Sequence, residues 1–199
     1  CGFCATGQAG FTRQLTTGEI VEQVVRAARK ARQLDRRLAN VVFMGMGEPM
    51  ANLDRVWAAT ERIHGDIGLS ARHITISTVG VIPGIRALKD LPLPVNLAVS
   101  LHAANDELRN ELVPINRKYN LKEFIRSAAD YIDKMPDNRR KATVEYTLMD
   151  QVNDRTVHAR ELAVLLKDLP CKINLIPFNP FPGSEYKRVT NTALNRFRD

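Results

Sequence analysis

The chain has 199 residues, of which 44% are hydrophobic and 26% are charged, and it contains only three cysteines. This composition excludes an intrinsically disordered protein, a collagen-like protein and a small domain held together by disulfides. The 29 Lys and Arg residues exceed the 22 Asp and Glu residues and give a formal net charge of +7, which favours a polyanionic partner without requiring one.

The sequence carries no signal for export or for a membrane. No stretch approaches the ~18 consecutive apolar residues of a membrane helix, and no basic and then apolar leader precedes a cleavage site. The few cysteines favour a reducing compartment, so we expect a cytoplasmic protein. Because the sequence begins with Cys1 and not with Met, we expect a single domain over residues 1–199 that is truncated at both ends of a longer protein.

Short runs rich in β-branched residues alternate with stretches of helical periodicity along the whole chain. Thr16 and Glu19 form a capping box at the start of the first helix. Repeated βα units require parallel strands with right-handed crossovers, in either an open doubly wound sheet or a barrel. The predicted strands are 41–46, 73–78, 95–101, 143–149 and 172–177, and the predicted helices are 17–34, 53–65, 83–91, 121–135, 156–169 and from 191 onward.

Three of the predicted strands have one apolar and one polar face. In 73–78, Ile74 and Ile76 lie opposite Thr75 and Ser77, and the strands 95–101 and 143–149 alternate in the same way. A strand covered by helices on both faces is apolar throughout. The alternation therefore favours an incomplete barrel with a polar interior, although polar groups that satisfy one another in a closed core would give the same pattern.

The pair Cys1 and Cys4 supplies two thiolates that can reach one metal site. A tetrahedral zinc site or an iron-sulfur cluster needs at least one further ligand. Cys171 opens a predicted strand at its amino end, away from the end where catalytic loops of βα folds cluster. We therefore interpret Cys171 as structural.

Polar residues follow several predicted strands. The run from Gly45 to Pro49 places glycines and Glu48 after the first strand, either as a ligand-binding turn or as a tight turn with a solvated carboxylate. Where several strands of a βα barrel deliver polar residues to one rim, that rim is the expected site. The other rim candidates are Ser77, Ser100, His102 and Asn179, whereas His64 and His158, on helices, are interpreted as structural.

Basic residues form two kinds of group. Those between Arg26 and Arg37 are interpreted as a solvated helix face. The smaller groups from Arg139 to Lys141 and at Lys187 and Arg188 fall in predicted loops, where contact with phosphate is easier.

Five longer motifs follow one another along the chain: CGFCATGQAGF from Cys1, NVVFMGMGEP from Asn40, SLH from Ser100, VPIN from Val113 and NLIPFNPFPG from Asn174. Together they resemble the motifs of one known family, the radical S-adenosylmethionine (SAM) adenine-C2 methyltransferases of ribosomal and transfer RNA. The likeness runs through the whole chain in order.

The resemblance implies an α/β fold, a partial TIM-like (β/α)6 barrel of the radical SAM type whose first strand precedes this chain. It implies a [4Fe-4S] cluster held by the motif CxxxCxxC, with Cys1 and Cys4 as its second and third cysteines and the first one upstream. SAM binds the open iron. Carried over residue by residue, Gly47 and Glu48 meet the aminoacyl end of SAM, and the rest of the pocket is lined by Ser77, Ser100, Leu101, His102 and Asn179.

The resemblance also implies the reaction and its partners. Adenine C2 is electrophilic, so methylation follows a radical route in which a cysteine near the carboxyl terminus first becomes methylated and a 5'-deoxyadenosyl radical then activates its methyl group. The substrates are ribosomal RNA and transfer RNA, the electron donor is a protein such as a flavodoxin, and we expect a monomer without membrane contact. No catalytic residue of the family falls within this chain, so we expect the segment alone to be inactive.

Two alternatives stay open. Close relatives methylate adenine C8 and share nearly all of these motifs. The second alternative is not an enzyme but a basic RNA-binding module stabilised by zinc at Cys1 and Cys4.

Overall fold

The computed structural model describes residues 1–137 and 140–199. Its framework is a five-stranded parallel sheet with the order β1-β2-β3-β4-β5, so that neighbours in the chain are neighbours in the sheet. A doubly wound sheet reverses its strand order at a switch point, and this sheet does not. The order is therefore that of a partial barrel, as predicted. The strands are β1 (Val41–Phe43), β2 (Ile74–Thr78), β3 (Asn96–Ser100), β4 (Ala142–Leu148) and β5 (Cys171–Pro177).

Helices connect successive strands, and the six predicted ones are confirmed within a few residues. The capping box of Thr16 and Glu19 is present at the start of α2. Two short helices, α1 and α5, were not predicted, because one or two turns give too little periodicity to detect. The helices in the described part of the chain are α1 (Ala5–Gln8), α2 (Thr17–Gln33), α3 (Leu53–Gly65), α4 (Ile82–Lys89), α5 (Asp106–Leu112), α6 (Leu121–Asp133), α7 (Thr156–Leu166) and α8 (Asn191–Arg198).

The hydrophobic core lies between the sheet and the helices. Ile74, Ile76, Leu97 and Val99 are fully buried in it, which confirms that the apolar face of β2 and β3 is the outer, helix-covered face. A second, smaller apolar cluster lies beyond the carboxyl ends of the strands and includes the buried Phe178. The sheet therefore presents its polar face to the barrel interior.

One predicted strand is shorter in the structure. Strand β1 ends at Phe43 and not at residue 46, because Gly45 and Met46 have positive φ angles of 86° and 28°, which end the extended conformation. Arg139, a predicted phosphate contact, lies outside the described residues. In the part of the chain that the structure describes, no helix is both long and apolar enough to cross a bilayer.

Candidate functional site

The carboxyl ends of the five strands lie together at one end of the sheet, which we call the mouth. It consists of the segments that leave the strands: residues 44–48, 77–79, 100–103, 147–149 and 178–179. The carboxyl-terminal side chains of parallel strands lie together at this end. The predicted polar residues of β1, β2, β3 and β5 are therefore brought to a common edge.

The turn after β1 exposes its backbone. Gly45 and Gly47 have φ angles of 86° and 149°, and a Cβ atom at either position would meet nothing within 4 Å. The glycines are therefore required by the backbone conformation and not by crowding. Their exposed peptide groups leave room for a ligand beside Glu48.

Glu48 joins the exit of β1 to the exit of β2. Its Oε1 accepts the backbone N–H of Met50 at 3.0 Å, and its Oε2 accepts the N–H of Val79 at 2.8 Å. Burial raises the pKa of this carboxyl, and the hydrogen bonds from Val79 and Met50 oppose part of that rise. The alternative of a solvated carboxylate is therefore wrong, because Glu48 is half-buried and both of its oxygens accept backbone N–H groups.

A close helix contact fixes the turn that follows Glu48. Met50 is buried against Gly84 of α4, where an added Cβ atom would lie 2.5 Å from the Met50 Cβ. No side chain larger than hydrogen fits there without moving the turn.

Two serines meet on the inner face of the sheet. Ser77, which is buried, and Ser100 place their Oγ atoms 3.5 Å apart at the ends of β2 and β3. Both are at predicted positions. Leu101, between Ser100 and His102, is fully buried in the main core, so only its backbone reaches the mouth.

His102 is buried, and its ring accepts a backbone hydrogen bond. Its Nδ1 accepts the backbone N–H of Thr147 at 3.1 Å, which places the ring proton on Nε2. Burial, and after it the positive charge of Arg109, lower the pKa of His102 to about 3. The backbone is left-handed, with φ of 62°, and its carbonyl accepts Nδ2 of Asn153 at 2.8 Å.

Asn179 lies exposed just beyond β5, and its side chain is oriented by a neighbour. Its Oδ1 accepts the Nη1 donor of Arg188 at 2.6 Å. Because arginine can only donate, the Nδ2 group of Asn179 is left free to donate to a ligand. Arg188, predicted as a phosphate contact, is therefore engaged within the mouth.

The two amino-terminal cysteines form a tight turn beside His102. The Cys4 N–H donates to the Cys1 carbonyl at 3.2 Å, and Cys4 caps α1 by accepting the Gly7 N–H on its Sγ at 3.3 Å. Phe3, between the cysteines, contacts the His102 ring edge to face with the centroids 4.8 Å apart. The cysteine turn therefore lies at the mouth, as the prediction requires.

The thiols of Cys1 and Cys4 have the chemistry and the position to bind part of an iron-sulfur cluster. Cys1 is exposed, Cys4 is half-buried and neither forms a disulfide. Cys171 is the first residue of β5, at the opposite end of the sheet from the mouth, and it packs against the main core. Among residues 1–137 and 140–199, no group of three His, Cys, Asp or Glu side chains could hold a metal, so these residues provide the two thiols of Cys1 and Cys4 without a third ligand.

Three buried residues next to the mouth were not predicted. Arg109 and Asn153 are fully buried and bond mainly to backbone carbonyls, and a contact of that kind leaves no sequence pattern. Glu145 is buried on the inner face, paired in register with Ser100, and accepts Nδ2 of Asn174 at 2.7 Å. The alternation of β4 had placed Glu145 on this face, but its strand position had not suggested a role.

Comparison with known proteins gives consistent results. The sequence profile of the radical SAM superfamily matches residues 1–163. The curated protein "Dual-specificity RNA methyltransferase RlmN" of Saccharophagus degradans is 55% identical over 204 aligned residues, which cover the whole of this chain and 51% of that protein. The chain thus spans about half the length of this curated relative.

Solved structures share the fold. A radical SAM methyltransferase from Sphaerobacter thermophilus superposes with a TM-score of 0.95 and is 47% identical, over 100% of this chain and 58% of that one. SuiB of Streptococcus suis, in a structure bound to S-adenosylmethionine, has a TM-score of 0.69 and 16% identity over 100% of this chain and 42% of that chain. At that identity the second similarity concerns the fold alone.

Proposed function

We propose, from the premise that this chain belongs to the radical SAM superfamily, that it is the core of an RNA methyltransferase of the RlmN type. The observation that carries the proposal is the meeting of Cys1, Cys4, Glu48, His102 and Asn179 at one mouth, in a chain 55% identical to RlmN throughout. The defining cofactors of the superfamily are a [4Fe-4S] cluster and SAM.

Cys1 and Cys4 would hold the cluster, together with a ligand from outside this chain. When bound, the cluster supplies the electron that cleaves SAM. Sγ of Cys4 accepts the N–H of Gly7, and this second contact would orient the cysteine as a ligand. Phe3 holds the turn against His102 and would so keep the two cysteines at the mouth for the cluster.

The remaining residues bind SAM by complementary charge and hydrogen bonding. The Glu48 carboxylate and the exposed backbone at Gly47 offer acceptors for the ammonium group. The hydroxyls of Ser77 and Ser100 and the neutral Nε2 donor of His102 face the polar interior. Asn179 presents its amide N–H groups to acceptor nitrogens of the adenine.

The proposal extends to the RNA substrate and to the atom that is methylated. We infer methylation of adenine C2 in ribosomal RNA and transfer RNA through a methylated cysteine, by a cytoplasmic, monomeric protein that takes electrons from a flavodoxin-like donor. The net charge of +7 supports a polyanionic substrate. The resemblance of Glu48-Pro49 and of the run from Asn179 to Gly183 to the motifs of the adenine-C2 enzymes is the support for the choice of adenine and of carbon.

Reconstitution tests the cofactor. The full-length protein, treated anaerobically with iron and sulfide, is expected to turn brown and to retain iron, and Cys4→Ala to lose the iron. Cys171→Ala is the matched control and is expected to retain it, since Cys171 lies at the other end of the sheet. Stoichiometric zinc without iron in the wild type would instead favour the RNA-binding module.

The methylation product tests the reaction. Ribosomal and transfer RNA are incubated with the reconstituted full-length protein, SAM and a reductant, and the digested nucleosides are separated by mass spectrometry against standards. We expect 2-methyladenosine. Formation of 8-methyladenosine would assign the protein to the C8 relatives, and absence of any methylated adenosine would contradict the proposal.

A further inference from the structure

The most deeply buried cation of the described chain lies directly behind the mouth. Arg109 of α5 is 0% exposed, and its guanidinium makes four hydrogen bonds. Nη2 donates to the carbonyl oxygens of Val79 at 2.7 Å and Ser100 at 3.1 Å, and Nε donates to that of Leu101 at 3.0 Å. Three of its four bonds therefore go to the exits of β2 and β3.

The fourth bond connects the cation to its counter-charge. Nη1 of Arg109 donates to Oδ1 of Asn116 at 2.8 Å, and Nδ2 of Asn116 donates to Oδ1 of Asp106 at 2.8 Å. The Arg109 guanidinium also lies over the Phe124 ring, 4.8 Å from its centroid. Asn116 belongs to the motif from Val113 to Asn116, which the SAM contacts had left without a role.

Burying the guanidinium of Arg109 costs free energy, so its presence in the core needs an explanation. A guanidinium loses much solvation energy in a protein interior, and apolar residues of equal volume often stabilise a fold as well or better. Burial lowers the pKa of Arg109 to about 10, so the side chain still carries its charge at neutral pH. A planar fork of donors is the group that can hold several carbonyls at fixed angles.

The carbonyls that Arg109 holds belong to residues that support the site. Val79 is bound from both sides, since its carbonyl accepts from Arg109 and its N–H donates to Oε2 of Glu48. Ser100 supplies a hydroxyl of the mouth, and Leu101 directly precedes the left-handed His102. One guanidinium thus fixes the backbone on which Glu48, Ser100 and His102 depend.

We propose that Arg109, anchored by Asn116 and Asp106, is the positioning residue of the SAM pocket, which it shapes by fixing the exits of β2 and β3. This inference rests on the proposed function for the identity of the ligand. The geometry of the two exits stands independently of it. Arg109 does not touch the ligand itself.

Hydrogen exchange in the cofactor-free full-length protein tests the positioning directly. Arg109→Lys keeps the charge but cannot reproduce the fork. We expect the amides of Val79 and Thr147, which donate to Glu48 and His102, to exchange about tenfold faster or more, with the amides of central β4 unchanged. Uniformly faster exchange over the whole sheet would show a general loss of stability and overturn the proposal.

SAM binding provides the second readout. In the reconstituted protein, well below its melting temperature, we expect Arg109→Lys to weaken SAM binding about tenfold or more while iron per chain stays at the wild-type value. Arg62→Lys, an exposed change on α3, is the matched control and is expected to leave both unchanged. Unchanged SAM affinity in Arg109→Lys would overturn the proposal.

A double-mutant cycle locates the path. Glu48→Gln and Arg109→Lys both act on Val79, so their effects on SAM affinity are expected to be less than additive. Full additivity would show that Arg109 does not act through Val79. If the wild-type protein binds no SAM at all, the proposed function fails, and the exchange measurement alone decides the positioning role.

Discussion

Phe3 contacts His102 edge to face, with the ring centroids 4.8 Å apart, and so joins the cysteine turn to the exit of β3. The contact helps to keep water from the imidazole, whose Nδ1 is occupied by the Thr147 N–H. Two parts of the mouth that are about a hundred residues apart in sequence therefore depend on each other.

The neutral state of His102 predicts a loss of stability in acid. The pKa of His102 is lowered to about 3 in the folded protein. His102 therefore binds a proton near pH 6.5 in the unfolded chain but stays neutral in the folded chain at that pH. The stabilisation is complete above about pH 6.5 and is lost as the pH falls towards 3, with a total of a few kcal/mol.

Urea unfolding at pH 7, 6, 5 and 4 measures this effect against His102→Asn. Asparagine tolerates the left-handed backbone and does not titrate. The difference in unfolding free energy between wild type and variant is expected to shrink as the pH falls. A constant difference would show that His102 titrates normally in the folded protein.

Glu48 predicts the opposite direction. Burial raises the pKa of its carboxyl above the usual 4.5, so the folded chain keeps a proton that the unfolded chain releases. Its contribution is complete below about pH 4.5 and declines as the pH rises through the folded-state pKa. Compared with Glu48→Gln, the wild type is therefore expected to lose relative stability between pH 4 and pH 7.

A second effect of Glu48→Gln concerns its hydrogen bonds. Glutamine has one oxygen and one N–H2 group, so only one of the Met50 and Val79 N–H donors keeps its acceptor. We expect a loss of about 1 kcal/mol from the missing hydrogen bond. Hydrogen exchange at the Met50 and Val79 amides at pH 7 measures it, and wild-type protection of both amides in the variant would contradict it.

Gly84→Ala tests the packing that fixes the Glu48 turn. The new Cβ would lie 2.5 Å from the Met50 Cβ, so α4 or the turn must move. We expect a destabilisation of about 1–3 kcal/mol by overpacking, together with weaker SAM binding. Gly18→Ala is the control, because position 18 in α2 has open space and the change should stabilise by about 0.5–1 kcal/mol. Calorimetric unfolding that gave both variants the same sign would be inconsistent with this packing.

The sequence predicted those parts of the site that depend on local pattern. Alternation along β2 and β3 placed Ser77 and Ser100 on the inner face, and the position of Glu48 after β1 placed it at the mouth. These features follow from strand periodicity and from the rule that parallel strands end together.

What sequence could not predict are contacts between side chains and distant backbone. Arg109 lies on a helix too short to show periodicity. Its partners are backbone carbonyl oxygens at the exits of β2 and β3, which a residue of any type can provide. Leu101 belongs to the SLH motif, yet its side chain is in the core. A motif names a segment, and only packing decides which of its atoms face the ligand.

Asn153→Asp tests how the left-handed His102 is held. Nδ2 of Asn153 donates to the carbonyls of His102 and Thr147 at 2.8 and 2.7 Å, while Oδ1 accepts the Met149 N–H at 2.8 Å. Aspartate removes both donations and buries a charge, so we expect a loss of about 3 kcal/mol or more. Asn191→Asp, at the exposed start of α8, should stay within about 0.5 kcal/mol of wild type. Equal effects of the two changes in chemical unfolding would rule out the role assigned to Asn153.

Arg188→Ala distinguishes a pocket residue from a phosphate contact. Arg188 donates to Oδ1 of Asn179 at 2.6 Å and thereby leaves the Asn179 N–H2 group free to donate, in our proposal to SAM. Without it the amide can rotate freely, so SAM binding should weaken by about three- to tenfold, the equivalent of one hydrogen bond. The side chain is exposed, and stability should change by less than about 0.5 kcal/mol.

Lys187→Ala is the matched control for Arg188→Ala, since it removes a neighbouring charge that has no contact with Asn179 among the described residues. Its SAM affinity should equal that of the wild type. Titration of both variants with RNA at several salt concentrations completes the comparison, because a lost phosphate contact reduces the salt slope by about one. If Arg188→Ala reduced that slope and left SAM binding intact, Arg188 would act on the RNA and Asn179 would be oriented by the ligand itself.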